Sequence, residues 1–301
     1  MLATDQLTSA RREAVLDLLE AVRRYDGVAA VDEAGRLALA TSAAQNYLIL
    51  EPDAESPDAD SAAVIGYAGL LADGTAQGAV HPDHRGHGHG RALLRAVLDE
   101  RPDAGVWAHG ALPSSLVFLA DAGLEPVRTL LVLERGFGVA ALLPERRPSR
   151  GPQPQIGAFD PDQDLEQLVE VNAAAFANHP EQGSMTRADV EQRMREPWFD
   201  RNDLLVAHLD GRLAAFLWLK REAGAVPEVY VLATAPWAQG RGLGGRLMAC
   251  ALERLEAAGA TRVKLYVEGD NEPALALYRR WGFAEEERHV QLRRPAAGER
   301  A

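Results

Sequence analysis

The feature that most constrains the fold of this chain is an internal repeat built around a glycine-rich segment. Residues 80–91 read VHPDHRGHGHGR and residues 234–245 read TAPWAQGRGLGG, so that one proline and three glycines coincide. Each segment precedes a stretch with the apolar spacing of a helix, at 92–98 and at 247–255. A supersecondary unit that occurs twice predicts a duplicated fold.

A second pair of segments aligns in the same way. Residues 106–110 match residues 265–269, and the alignment continues without a gap until Ala122-Gly123-Leu124 meets Trp281-Gly282-Phe283. The repeat therefore covers more than the glycine segment and extends through the following helical stretch.

A proline-rich segment separates the two halves. Residues 143–154 contain four prolines and alternating charges, which exclude a packed helix or a central strand. The length of 301 residues also suits two ordinary domains better than one. We predict an N-terminal domain over residues 1–141, a linker over 142–155 and a C-terminal domain over 156–301.

Each half is predicted to run strand, glycine loop, helix, strand, helix, strand. This order is typical of a mixed α/β domain with an α+β mixed sheet, present here in two tandem copies. In the second half, the predicted strands are 204–209, 213–219, 228–234, 262–267 and 287–292, and the predicted helices are 165–175, 246–257 and 273–281.

The composition excludes several classes of function. A net charge of −12 argues against nucleic acid and against anionic membranes as partners, and it is compatible with a small cationic substrate. No apolar run is long enough to cross a bilayer. The single cysteine, Cys250, lies in an apolar helical stretch and is interpreted as a buried thiol. We expect a cytoplasmic protein, and a monomer is compatible with the sequence.

The glycine segment of the second half is suited to bind a pyrophosphate. Glycines allow consecutive backbone N–H groups to turn toward one point, and the helix that follows adds the positive end of its dipole. The order Q-x-x-G-x-G, from Gln239 to Gly244, differs from the G-x-G-x-x-G of a dinucleotide loop, and no Gly-Lys-Ser/Thr follows.

This segment resembles the acyl-CoA loop of the GNAT acetyltransferases, which reads Q/R-x-x-G-x-G/A after a strand. Gln239, Gly242 and Gly244 match it in the second half. Arg85, Gly88 and Gly90 match it in the first. The resemblance implies two tandem GNAT domains that use acetyl-CoA. The alternative interpretation is a plain glycine turn that caps a helix.

The histidines of the first loop also suggest a metal site. His81, His84, His87 and His89 lie close together in sequence, but no cysteine or carboxylate cluster accompanies them. We therefore expect no metal, and interpret these side chains as exposed loop histidines near a phosphate.

Two residues of the second half are candidates for acid–base chemistry. Glu228 begins the strand that leads into the loop, where many GNAT enzymes carry the carboxylate that deprotonates the amine. Tyr278 lies in the pattern N-x-x-A-x-x-x-Y-x-x-x-G-F and resembles the family's tyrosine that protonates the CoA sulfur. Glu228 as a solvated strand-end charge and Tyr278 as a packing residue are the alternatives.

The first half lacks this pair. Leu119 aligns with Tyr278, and Gly74 aligns with Glu228, although a slip of one residue would bring Asp73 there. We predict that the first domain has an acyl-CoA loop and is not catalytic.

A closer resemblance is to tandem GNAT enzymes that acetylate the cysteinyl amine of a glucosaminyl-inositol thiol precursor. It implies substrate contacts at Glu33, Glu181, Lys220 and Tyr266, so that with Glu228 the site is expected to be rich in carboxylates. The segments that carry it are 26–29, 107–110, 171–183, 198–200, 218–220, 228–231 and 265–268.

The same resemblance implies the acetyl-CoA contacts. The second-half contacts are Leu232, Ala233, Thr234, Gln239, Gly240, Arg241, Gly242, Leu243, Gly244, Gly245, Asn271, Glu272, Pro273, Ala274, Leu275 and Ala276. The first-half contacts are Gly78, Ala79, Val80, Gly86, His87, Gly88, His89, Gly90 and Arg91. The first loop departs from the family in carrying His87 and His89 where bulky basic and aliphatic residues are usual.

Two other functions remain open from the sequence. One is a tandem GNAT enzyme that acetylates another small amine, such as an aminoglycoside, a polyamine or a peptide N-terminus. The other is a non-catalytic regulator that binds acyl-CoA, which would need neither Glu228 nor Tyr278.

Overall fold

The chain divides into two compact units. The computed structural model describes residues 1–41, 43–51, 62–138, 153–177 and 182–295. Unit 1 comprises Met1–Leu130, Glu268–Asp270 and Glu287–Ala301, and unit 2 comprises Leu131–Val267 and Asn271–Glu286. The predicted domain limits at 141 and 156 differ from this division, and most of the predicted linker, 142–152, lies outside the described residues. Those limits therefore stay a prediction.

Unit 1 is a mixed sheet with helices. Its elements are β1 (Leu2–Thr4), α1 (Ser9–Asp26), α2 (Glu33–Ala38), β2 (Ala44–Leu50), β3 (Val64–Leu71), β4 (Thr75–Val80), α3 (His89–Glu100), β5 (Gly105–Ala108), α4 (Pro113–Asp121) and the first part of β6 (Glu125–Gly136). The strands β1 to β5 are neighbours in that order, antiparallel except for the parallel pair β4–β5.

Unit 2 repeats this plan. Its elements after the end of β6 are β7 (Gln155–Ala158), α5 (Pro161–Ala175), α6 (Arg187–Arg193), β8 (Leu204–Leu209), β9 (Arg212–Lys220), β10 (Glu228–Thr234), α7 (Leu243–Ala257), β11 (Arg262–Glu268) and α8 (Glu272–Arg280). The last strand, β12 (Ala284–Arg293), begins in unit 2 and belongs to unit 1 from Glu287 onward. The strands β7 to β11 are neighbours in order, and only β10–β11 is parallel.

The elements predicted for the second half are confirmed, with small changes at their ends. The strands over residues 204–209 and 228–234 have the predicted bounds. Helix α7 begins at Leu243, three residues before the predicted start. The glycines at 244 and 245 therefore lie in the first helical turn, where backbone N–H groups have no partner within the helix.

The core of unit 2 is formed around β9. From Leu213 to Lys220 every residue of this strand is buried, because α5 and α7 both pack against it. A strand covered on two faces loses the apolar–polar alternation of a half-exposed strand. This central strand holds its neighbour β10 in place.

Unit 1 also uses the end of the chain. Val290 and Leu292 of β12 pair with β5 and are buried in the same cluster as Leu93 and Val97 of α3. The C-terminal strand therefore completes the core of unit 1. Among the described residues, no helix is long and apolar enough to cross a membrane.

This packing predicts that the last strand stabilises the unit. Leu292→Ala should lower the free energy of unfolding by about 2–5 kcal/mol, because it leaves a cavity where the side chain is 1% exposed. Leu37→Ala is the control, since Leu37 is 60% exposed. Urea unfolding followed by circular dichroism measures both. Equal, small losses would show that β12 is dispensable for the unit.

Candidate active site

Both glycine loops adopt the same backbone conformation. In unit 2, Gly240 and Gly242 have φ of 74° and 75°, and Gly242 is the N-cap of α7. In unit 1, Gly86 and Gly88 have φ of 80° and 86°, and Gly88 is the N-cap of α3. Left-handed φ favours glycine at these positions. Neither N-cap supplies a side chain, so the first N–H groups of the helix are left for a ligand.

The end of β10 lies beside the start of α7. A Cβ atom on Gly244 would lie 3.8 Å from side-chain atoms of both Leu232 and Thr234. The strand end and the helix start thus approach each other closely, and a helix N-terminus of this kind is a ready site for a phosphate.

Strand β10 parts from β11 as it approaches the loop. Their parallel pairing is confined, in the described part of the sheet, to Glu228 and Val229, whereas β10 pairs with β9 as far as Thr234. The N–H group of Ala235 donates to the carbonyl of Ala214 on β9 at 2.8 Å. Since N–H directions alternate along a strand, those of Leu232 and Thr234 point away from β9, into the gap.

A β-bulge precedes this gap. The pairing of β10 with β9 shifts between Val229 and Val231, so Tyr230 is the extra residue. The Tyr230 hydroxyl accepts a hydrogen bond of 3.0 Å from Arg193 Nε. The bulge bends the strand at the point where it leaves β11, as bulges commonly do beside functional sites.

Glu228 lies between two lysines. It is the register partner of Lys220 on β9 and of Lys264 on β11. Lys264 Nζ lies 4.0 Å from Glu228 Oε2 and donates to the Tyr266 hydroxyl at 3.3 Å. Lys220 Nζ lies 3.4 Å from Glu222 Oε1. The predicted residues Glu228, Lys220 and Tyr266 therefore lie on three adjacent strands of unit 2.

Lys220 is buried against aromatic rings. Its Nζ lies 5.3 Å from the ring centre of Trp198 and 5.8 Å from that of Tyr230. A ring face attracts a cation, so these rings help to fix the ammonium group of Lys220, the register partner of Glu228.

Tyr278 lies on α8, packed on the core of unit 2. Its ring meets that of Phe283 edge-on, with centroids 5.9 Å apart. Burial raises the pKa of Tyr278 to about 12, so the hydroxyl stays protonated at neutral pH, as a proton donor must. The Asn271 side chain accepts from the N–H of Ala274 at 3.2 Å and so caps this helix.

The comparisons with known proteins agree with this geometry. The model of the Acetyltransferase (GNAT) family matches residues 22–112 and 168–283, one stretch for each glycine loop. The chain belongs to the GNAT acetyltransferase family. It is therefore an N-acetyltransferase, and the family uses acetyl-CoA as its acyl donor.

Several relatives within the GNAT family span the whole chain. A protein of Brachybacterium faecium named mycothiol acetyltransferase is 46% identical, covering 99% of this chain and 100% of its own. One of the same name from Clavibacter michiganensis is 43% identical, covering 93% and 90%. A solved tandem GNAT protein from the clavulanic acid biosynthesis pathway has a TM-score of 0.65 at 19% identity, covering 93% of each chain.

The GNAT copy in unit 1 has neither a tyrosine nor a glutamate at the places of Tyr278 and Glu228. Leu119 is buried, and its carbonyl accepts from the N–H of Leu124 at 3.1 Å, just as Tyr278 accepts from Phe283 at 3.1 Å. The predicted alignment of Leu119 with Tyr278 is therefore confirmed by an equivalent hydrogen bond.

The predicted counterpart of Glu228 is corrected. Glu228 pairs with Lys264, and the repeat places Gly105 at the position of Lys264. Gly105 pairs with Thr75, so Thr75 is the counterpart, and not Gly74 or Asp73. The reason is the bulge at Tyr230, which adds a residue that β4 lacks.

Asp73 has another role in unit 1. Its carboxylate accepts from the Thr75 N–H at 2.8 Å and from the Thr75 hydroxyl at 3.1 Å. It therefore closes the turn before β4 and is not the counterpart of Glu228.

The two GNAT loops also differ at their first residue. Arg85 donates twice to Asp26, at 2.9 and 2.7 Å, and once to the carbonyl of Val80. Gln239 is exposed at the equivalent place in unit 2. Because Asp26 pairs with Arg85, the positive charge of Arg85 is largely offset beside the first loop.

Two of the predicted substrate-binding residues, Glu33 and Glu181, are not placed beside Glu228 by the described residues. Glu33 is exposed and begins α2, next to the N-cap Asp32. Glu181 lies outside the described residues. Among the described residues, no group of three or more His, Cys, Asp or Glu side chains could hold a metal ion. This includes the loop histidines His81, His84, His87 and His89.

Lys264 is the residue that the sequence analysis missed. Its place beside Glu228 follows from the register of β10 and β11, which sequence spacing does not reveal. The one available signal was its position two residues before Tyr266, on the same face of a predicted strand.

The second loop is predicted to hold acetyl-CoA. Gly242→Glu should abolish that binding, since it places a carboxylate where the pyrophosphate is expected. Gly259→Glu is the matched control, because Gly259 has a φ of 81°, has no neighbour within 4 Å of an added Cβ and lies outside the loop. Isothermal titration calorimetry measures binding, and thermal unfolding checks that both variants lose similar stability.

The first loop provides the reverse test. Gly88 has a φ of 86° and equally open surroundings, so Gly88→Glu carries the same backbone strain. Turnover should survive this change and be lost with Gly242→Glu. The opposite pattern would move the active site to unit 1.

Proposed function

We propose that this chain transfers the acetyl group of acetyl-CoA to the cysteinyl amine of the mycothiol precursor, cysteinyl-glucosaminyl-inositol, in the last step of mycothiol biosynthesis. The relatives that match over the whole chain carry the name mycothiol acetyltransferase. The observation that carries the proposal is the place of Glu228, at the mouth of the gap between β10 and β11. The first GNAT copy is proposed to be non-catalytic.

Acetyl-CoA fits the gap and the loop of unit 2. The N–H groups at the start of α7, including those of Gly244 and Gly245, are proposed to hold the pyrophosphate, with Asn271–Ala276 beside it. The N–H groups of Leu232 and Thr234 face the gap and have no partner on β9. They are suited to hold the acyl arm and to donate to the thioester oxygen as negative charge develops on it.

The acid–base roles are proposed for Glu228, beside the gap, and for Tyr278, on α8. Glu228 is proposed to take the proton of the amine, directly or through water, before or during attack on the carbonyl carbon. As the carbon–sulfur bond breaks, Tyr278 is proposed to give its proton to the leaving thiolate. Its hydroxyl is suited to this role because burial keeps it protonated.

The remaining predicted residues are proposed to hold the acceptor. Lys220 and Tyr266 flank Glu228, while Glu33 and Glu181 are carried over from the family pattern. Charge-assisted hydrogen bonds from such groups to sugar hydroxyls bind more strongly than neutral ones.

Tyr278→Phe should lower kcat by about 10²–10⁴-fold, as expected for the loss of a general acid, with acetyl-CoA binding unchanged. Tyr47→Phe is the matched control, because burial also raises the pKa of Tyr47 and its hydroxyl has no hydrogen-bond partner. In the wild type, the pKa of about 12 predicts that loss of kcat through this group begins well above the ordinary tyrosine pKa of about 10. Steady-state kinetics across pH measures both effects. Equal activity of the two variants would remove Tyr278 from the mechanism.

The substrate is tested with a panel of amines. The purified protein is given acetyl-CoA with the mycothiol precursor, free cysteine, glucosamine, a polyamine or an aminoglycoside, and products are identified by mass spectrometry. The precursor should have the highest kcat/KM. Preference for another amine would overturn the substrate and leave the acetyltransferase assignment in place.

A further inference from the structure

Lysine is almost absent from this chain. Of the 32 basic residues two are lysines, Lys220 and Lys264, and all others are arginine. Both lysines are register partners of Glu228, one on each neighbouring strand. Both lysines of the chain thus lie at register positions next to this glutamate. Arginine would instead present a planar fork that binds both carboxylate oxygens at once.

Lys264 contacts two groups of the site. Its Nζ lies 4.0 Å from Glu228 Oε2, which is a charge interaction, and 3.3 Å from the Tyr266 hydroxyl, to which it donates. The Tyr266 ring centre lies 5.3 Å from the same Nζ. Because residues 264 and 266 share one face of β11, the ammonium group lies between the carboxylate and the phenol.

The charge of this lysine is maintained at neutral pH. Burial by itself would lower the pKa of Lys264, and Lys220 lowers it further. The Tyr266 and Glu228 side chains outweigh both, so the pKa lies above its ordinary value. Lys264 is therefore a charged ammonium group at the neutral pH at which Glu228 is proposed to act as the base.

Unit 1 can be compared with unit 2 at the positions of Glu228 and Lys264. The counterparts of Glu228 and Lys264 in unit 1 are Thr75 and Gly105, which also pair with each other. Neither carries a charge. The cation and the carboxylate are thus both absent from the copy that lacks Tyr278, which links Lys264 to the chemistry and not to the fold.

We propose that Lys264 is a positioning residue that holds the Glu228 carboxylate and the Tyr266 hydroxyl in place and keeps Glu228 ionised as the amine enters. With Lys220 on the other side, it surrounds one carboxylate with two cations, so the amine is favoured in its neutral, nucleophilic form. This inference rests on the proposed role of Glu228 as the base.

The experiment measures kcat/KM against pH with acetyl-CoA and the mycothiol precursor. In Lys264→Met, loss of a neighbouring cation makes Glu228 easier to protonate, so the acidic limb should move up by about one to two pH units. Below the limb, a shift of one unit lowers kcat/KM about tenfold. Lys264→Arg keeps the charge and should prevent this upward shift.

Two controls separate this effect from a structural one. Arg262→Met removes a cation from the same face of β11, where it pairs with Glu134 at 3.3 Å, and it should not move the limb. Glu228→Gln should remove the part of the limb that Glu228 sets and leave the part set by the amine itself, whose pKa is about 8. Adding Lys264→Met to it should change nothing further. Circular dichroism and thermal unfolding check that each variant is folded.

The outcomes are distinguishable. If Glu228→Gln keeps wild-type activity, the proposed base is wrong, and this inference is overturned with it. If Glu228→Gln removes the part of the limb that Glu228 sets but Lys264→Met leaves it in place, only the role of Lys264 is overturned. If the precursor is not acetylated, the same variants are compared with the best amine of the panel, and the same shift of the limb decides.

Discussion

The parting of β10 from β11 is the constraint on which the site of unit 2 depends. Once β10 leaves its parallel partner, the N–H groups of Leu232 and Thr234 face a gap instead of a strand. Neither N–H group has a strand partner in the described sheet, so both can donate to a ligand with oxygen acceptors. The start of helix α7 lies beside the end of the same strand and adds N–H groups that have no partner within the helix. One break in a sheet thus creates a binding site from backbone groups alone.

The duplication separates the backbone part of this site from the side-chain part. Unit 1 keeps the left-handed glycines, the helix that follows and the parallel strand pair. It lacks the bulge, and Thr75, Gly105 and Leu119 stand where unit 2 has two charges and a phenol. Backbone geometry is encoded by a few glycines, whereas acid–base chemistry needs particular side chains at particular register positions. The backbone geometry can therefore persist in a copy that lacks the acid–base side chains.

The sequence predicted the features that depend on local patterns. Periodicity located the strands and helices, and glycine spacing located both loops, since left-handed φ is a local requirement. The sequence pattern predicted the start of α7 three residues late, because glycines 244 and 245 are typical of a loop. Glycine is tolerated there since the first turn has no internal hydrogen bonds to lose.

Features that depend on strand register could not be predicted from the sequence. The bulge at Tyr230 is visible only from the pairing of β10 with β9, and it moved the counterpart of Glu228 by one residue, to Thr75. The neighbours of Glu228 are likewise residues 8 and 36 positions away in the chain, Lys220 and Lys264. Cross-strand neighbours of this kind follow from tertiary pairing, which no local pattern specifies.

The charges around Glu228 bear on which amine the site accepts. The net charge of −12 attracts a cationic amine from solution, but such attraction is screened beyond about 8 Å at physiological salt. Within the site, the amine meets two ammonium groups beside one carboxylate, which disfavours its protonated form. An α-amine, with a pKa of about 8, loses its proton more readily than an alkyl amine with a pKa above about 10. Two lysines around the proposed base would therefore favour a cysteinyl α-amine over a polyamine. The carboxylate-rich site expected from the sequence would instead bind both amines as cations.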